Sequence, residues 1–161
     1  SPDDVEKYRK ELNIKEHNDS TIKEDFFEFL EERDYSLSYK MPFLLAVVKH
    51  IDAIGDAKIE EVLDDYIAFY QDRLFRGLQV DRSTCPYDEK MLKDRKAVQR
   101  NMLTNPFEKF ERKRFLYYSK DLSVISMNHA LFGQMKEEDW ERVRRQMRED
   151  LRKYYDGMGG V

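Results

Sequence analysis

The chain has 161 residues, 40% hydrophobic and 39% charged, with 29 Lys+Arg against 33 Asp+Glu and a formal net charge of −4. That length suits one domain over 1–161, and 10 Phe, 10 Tyr and 1 Trp supply large core side chains, so wholesale disorder is excluded. A lone Cys85 excludes a disulfide framework, and no apolar run approaches the ~18 residues of a membrane span.

In chain order, Pro2, Asp3 and Asp4 open a polar helix to about Asn13, an acidic lead-in over 1–35. Asn18-Asp19-Ser20 supplies caps for a helix over Thr21–Arg33, where Ile22, Phe26, Phe29 and Leu30 form one apolar stripe. Tyr39–Ile54 is apolar nearly all round, the mark of a buried helix; Ser38 is its expected cap, Pro42 fits its first turn and Gly55 stops it. After a short extended piece, Asp56–Ile59, a helical period resumes over Lys58–Phe75 and ends at Gly77. Residues 77–87 read as a loop and Asp88–Leu103 as a helix; Asn105-Pro106 then breaks the chain and starts a short helix to Arg114. Phe115–Tyr118 and Val124–Met127, joined by Ser119-Lys120-Asp121-Leu122-Ser123, predict a β-hairpin. His129–Met135 makes a turn or two. A charged helix, Trp140–Tyr155, fills most of 136–156.

The order helix, extended piece, helix, insertion, helix, hairpin over residues 39–127 is that of a winged helix-turn-helix. The expected fold is therefore mostly α, a winged-helix core flanked by N- and C-terminal helices. The hairpin is the wing, and Pro106–Arg114 is the expected recognition helix. On it Leu103, Phe107 and Phe110 point to the core, while Lys109, Arg112 and Lys113, with Arg114 beside them, form a cationic face. Lys120 tops the wing. Between Lys90 and Lys120 ten basic residues face three acidic ones, whereas residues 1–34 hold twelve acidic and six basic. A basic stripe on an acidic chain suits contact with double-stranded DNA phosphates. Charged helix faces are also commonly just solvated, and winged helices also dock proteins, so a scaffold role stays open. Lys40, in the first turn after Ser36 and Ser38, reads first as a snorkelling side chain beside a cap and otherwise as a candidate phosphate contact.

Three stretches carry a resemblance: Asp34-Tyr35-Ser36-Leu37-Ser38-Tyr39-Lys40 with Phe43-Leu44-Leu45-Ala46, Phe69-Tyr70-Gln71-Asp72-Arg73, and Asn105-Pro106-Phe107 through Arg114-Phe115-Leu116. From Ile22 to Tyr155 the chain resembles a domain on the C-terminal side of bacterial DEAD/DEAH-type helicases and restriction-like nucleases. The resemblance implies a non-catalytic, DNA-binding accessory module of a defence enzyme in the bacterial cytoplasm. The chain begins at Ser1 and carries neither a Gly-Lys-Ser/Thr phosphate loop nor an Asp-Glu-Ala-Asp/His box. Any ATPase is thus expected in a remainder of the polypeptide or in a partner subunit, and no cofactor is expected here.

Other chemistry is weaker. Glu111-Arg112-Lys113 fits half of a restriction-nuclease site, but such a site sits on a strand and this segment reads as helix. His17, His50 and His129 are scattered, and Cys85 has no base in view. On the last helix Trp140, Val143, Met147, Leu151 and Tyr154 form a narrow seam flanked by arginines. That seam packs on the domain, docks a partner, or leaves its arginines to phosphates.

Overall fold

The structure, a computed structural model, describes residue 4, residues 18–33 and residues 35–158. The polar helix expected over 2–13 lies, apart from Asp4, outside these residues, as do His17 and Asp34. Helices dominate the described residues, with one small antiparallel sheet. Among the described residues no helix is long and apolar enough to cross a membrane.

Helix α1, Ile22–Glu31, carries Glu24 and Asp25 in its first turn, where a helix favours acids, and buries Ile22, Phe26, Phe27, Phe29 and Leu30. Helix α2, Lys40–His50, buries residues on every side, as its composition demands. Two of its expected boundaries shift. Its cap is Tyr39, because the Ser38 hydroxyl is committed to Asp81. Its end comes at His50, four residues before the Ile54 expected from the apolar run, because Ile51 turns extended. Asp52 Oδ1 then accepts from the Ile54 and Asp56 amides at 3.0 and 2.9 Å and closes a tight turn. Gly55 sits in that turn at φ +90°, and a Cβ there would meet the Phe132 ring at 3.1 Å.

Strand β1, Asp56–Lys58, leads into helix α3, Ile59–Phe75, which ends at Gly77. The expected single helix over 88–103 is two: α4, Glu89–Leu92, and α5, Arg95–Met102. Two aspartates in sequence explain this, since Asp88 caps the first through the Met91 amide and Asp94 the second through the Ala97 amide. The expected break at Asn105-Pro106 is absent. Instead the backbone widens into a π-helical turn, Leu103–Phe107, and continues as α6, Glu108–Arg112. Pro106 cannot donate, and the wider turn absorbs it without ending the helix. The carbonyls it disturbs find side chains: Thr104 Oγ1 donates to Arg100 O at 2.9 Å, and Asn105 Nδ2 to Asn101 O at 2.9 Å.

The hairpin forms as expected, β2 Leu116–Ser119 and β3 Val124–Met127. Strand β3 takes the centre: β1 pairs with it through Ala57 opposite Ile125, and β2 through Tyr118 opposite Ile125. Helix α7, His129–Gln134, is capped by Asn128, and α8, Glu137–Gly157, packs along α2. The seam of α8 therefore turns inward, with Val143, Met147, Tyr154 and Tyr155 buried. Its arginines are largely spent within the chain: Arg142 lies over the Phe27 ring at 4.1 Å, and Arg152 pairs with Glu149 and Asp156.

One polar network ties α2, α3, the 78–87 loop and α8 together. The Asp81 carboxylate, 5% exposed, accepts from the Ser38 amide at 2.9 Å, the Ser38 hydroxyl and the Tyr154 hydroxyl. Tyr70 shares a 2.7 Å hydrogen bond with Ser38, and Tyr155 donates to Val80 O at 2.6 Å. Beside it the Tyr66 and Tyr87 hydroxyls meet at 2.8 Å, and Tyr87 donates to Asn101 on α5. Burial raises every one of these phenols, Tyr66, Tyr70, Tyr87, Tyr154 and Tyr155, above the usual tyrosine range.

Candidate nucleic-acid interface

The helical run α5–π-turn–α6 lies against the hairpin through Phe107, whose ring meets Tyr118 at 6.2 Å, and through Gln99, which reaches the Tyr118 hydroxyl at 3.4 Å. It is about 18 residues long, roughly 25 Å. Its two ends therefore offer separate surfaces, and the contact residues expected on it, Lys109, Arg112, Lys113 and Arg114, all fall at the C-terminal one.

Lys109, Lys113 and Arg114 sit at the C-terminal end. Lys109 is exposed, Lys113 half-buried, and Arg114 exposed in left-handed backbone at φ 63° where α6 turns into β2. Arg112 also lies here, but it forks onto Glu108 one turn back, with Nε donating to Oε1 at 3.0 Å. That fork holds the Glu108 carboxyl below the usual range and ties the Arg112 charge to a carboxylate of its own helix. Lys120 stands at the other end of the hairpin, roughly 15–20 Å away along β2. The five residues expected on one recognition helix and its wing are thus not a single patch.

Lys40 is not at the surface. It is 8% exposed, its ammonium donates to Phe29 O at 2.8 Å and Glu32 O at 3.3 Å, and it lies 4.1 Å from the Phe29 ring centroid. Helix α1 ends there, so the lysine caps the carbonyl end of a neighbouring helix, where its charge is favoured. It lies on the wall of a cleft of about 120 Å³ that also includes Tyr35, Asn105, Pro106 and Lys109.

A second basic group lies on α5. Lys96 and Arg100 are exposed one turn apart, on either side in sequence of Gln99, whose amide reaches the Tyr118 hydroxyl. Lys58, exposed on β1, pairs with Val124 beside the wing turn, and the Ile59 amide donates to Ser123 O at 2.9 Å. Lys58 and Lys120 thereby flank the wing end of the sheet, and Lys96 and Arg100 lie on the helix that meets the wing strand through Gln99. Arg95, on the same helix, is committed to Glu60 and Asp64 of α3 at 2.9 Å each, which offsets part of that acidic flank. Lys96 and Arg100 were legible from their i, i+4 spacing. Lys58 was not, because it lies 38 residues upstream of Lys96.

The remaining candidates have structural partners. His50 bridges Glu61 at 2.9 Å and Asp65 at 3.0 Å, locking α2 to α3. Cys85 is half-buried under the Tyr39 hydroxyl, and burial pushes its thiol up, away from nucleophilic use. Glu111 is helical and exposed, and no metal-binding cluster of His, Cys, Asp or Glu occurs among the described residues. Compared with protein-family models, with curated proteins and with solved structures, the chain matches none.

Proposed function

We propose that this chain is a winged-helix module that binds double-stranded DNA through the wing end of its sheet, without catalysis of its own. The observation that carries this reading is the sheet order β1–β3–β2 combined with the helix order. A helix, a strand, a second helix, a further helical run and a hairpin whose far strand sits between the other two support the winged-helix reading, with α4 as an insertion between the second helix and that run. In it the third helix and the wing lie side by side against the duplex. Here that pair carries Lys96, Arg100 and Lys120, with Lys58 adjoining. Lys109, Lys113 and Arg114, at the C-terminal end of the run, offer a separate basic surface. As an accessory module the chain would deliver DNA to helicase or nuclease activity carried elsewhere in a larger bacterial defence protein.

The test is anisotropy of a labelled random-sequence duplex at several salt concentrations. Wild type should bind with a steep salt dependence. The Lys96→Ala/Arg100→Ala/Lys120→Ala variant should lose about three units of the log–log slope if each contact releases about 0.9 counterion. A Lys109→Ala/Lys113→Ala variant should lose up to two. Absence of salt-dependent binding, or a triple variant that binds like wild type, overturns the reading. A protein-docking role is the second reading, favoured by the internal pairing of Arg95, Arg112 and Arg152.

A further inference from the structure

Beyond the end of α1, a pocket of about 260 Å³ opens between α8 and the 78–87 loop. Its wall carries three cations, Arg33, Arg82 and Lys153, and one carboxylate, Asp150. None of these residues lies on α5, the π-turn, α6 or the hairpin, so the pocket is distinct from both basic surfaces described above.

The charged groups differ in how far they are already committed. Asp150 is 4% exposed and accepts from Arg33 Nε at 3.0 Å and from the Tyr35 hydroxyl at 3.2 Å, one bond on each oxygen. Arg82 is fixed without an acid. Its Nη1 donates to Tyr35 O at 3.1 Å and Ser36 O at 2.9 Å, and the guanidinium lies 5.0 Å from the Tyr154 ring centroid. Among the described residues that guanidinium has no carboxylate partner, and Asp81, at the hydroxyl end of Tyr154, is off the wall. Arg82 thus keeps Nε and Nη2, the edge with which a guanidinium forks onto two phosphate oxygens. Lys153 is loosely held: Glu149 lies 3.9 Å away and is already forked by Arg152.

Three positive charges against one negative leave the wall at +2. A carboxylate ligand would offset half of that, whereas a phosphomonoester, close to doubly charged at neutral pH, balances it. The pocket is roomier than a phosphate, and the Tyr35 and Tyr154 rings give the organic part of an ester an aromatic wall.

We infer that this pocket binds a phosphomonoester, with Arg82 forking the phosphate and Arg33 and Lys153 completing the charge balance. The inference does not rest on the DNA reading.

Titration of the isotope-labelled chain with inorganic phosphate, followed by NMR through backbone amides and arginine Nε–H signals, tests it. Shifts that saturate in the millimolar range, as suits so small a ligand, should centre on Arg33, Arg82 and Lys153. Acetate at equal ionic strength should give no saturating shift there. Arg82→Lys keeps the charge and loses the fork, and should weaken binding about tenfold. Lys153→Gln, exposed and outside the core, should weaken it about threefold with an unchanged circular dichroism spectrum. Short single strands then separate the sources. A strand with a terminal phosphate that shifts Arg82 at lower concentration than inorganic phosphate identifies a nucleic-acid end, and one that shifts it no more readily identifies a small phosphomonoester. Shifts that never saturate, acetate acting like phosphate, a strand ending in hydroxyls that shifts Arg82 as strongly as the phosphorylated one, or both variants binding phosphate like wild type overturn the inference.

Discussion

Replacing Lys40 by Met separates two roles that a lysine at a helix start can have. Methionine keeps the length of the side chain and removes its charge. In the structure the ammonium serves the end of α1, donating at 2.8 and 3.3 Å to two carbonyls beneath the Phe29 ring. A short hydrogen bond from a charged donor contributes about 1.5–3 kcal/mol, and a desolvated cation–π contact about 2 kcal/mol. Against these stands relief of the ammonium's burial, which recovers part of the loss. The expected net destabilisation is about 2–4 kcal/mol, and for a domain of this size each kcal/mol lowers Tm by about 2–4 °C. Urea denaturation followed by circular dichroism gives the free energy, and duplex titration in salt gives the electrostatic slope. Lys40→Met should lose stability and keep the slope. A variant as stable as wild type whose slope drops by about one would refute the structural role and make Lys40 a phosphate contact.

Three further outcomes follow from the core. Asp81→Asn keeps shape but turns one acceptor oxygen into a donor facing the Ser38 or Tyr154 donors, so urea titration should show a loss of about 3 kcal/mol or more; a loss under ~1 kcal/mol would mean the network is not closed as described. The buried phenols, Tyr39 included, have folded-state pKa values raised above the unfolded value near 10. Their contribution is fully present below pH ~10 and is lost as pH rises towards the folded values. Alkaline unfolding should thus be cooperative within about 1.5 pH units above 10, with phenolate absorbance rising in step with loss of helix; phenolate signal appearing well before helix is lost would contradict the burial. Gly55→Ala should cost about 1–3 kcal/mol by thermal melting, because alanine would be strained at φ +90° and pressed on Phe132.

The expected faces and most element positions match the structure because spacing along a helix or strand is a local property. The stripe of Ile22, Phe26, Phe29 and Leu30 and, apart from half-buried Leu45, the apolar Met41–Val48 run are buried as their periods require. So are the inward residues of the hairpin, Leu116, Ile125 and Met127. Asp88 and Asp94 could have been read as two caps, and the helix break between them was legible from composition. The π-turn at Asn105-Pro106 was not. A proline ends a helix by local rules, and here packing of Phe107 and Phe110 on Phe43 keeps the helical path going through it.

The candidate site divides along the same line. Basic character between Lys90 and Lys120 is written in composition, but which charges reach solvent depends on partners distant in sequence. Lys40 points inward because α1 ends beside it, and Arg95 is spent because Glu60 and Asp64 of α3 face it. Lys58 joins Lys120 only because β1 pairs with β3 across more than sixty intervening residues. Asp81 looked like one more loop acid and became the acceptor that joins α2 to α8. Periodicity encodes which side of an element is apolar, since neighbours three and four apart share a face. It carries no information on which elements meet, and an ion's partner is chosen by that meeting.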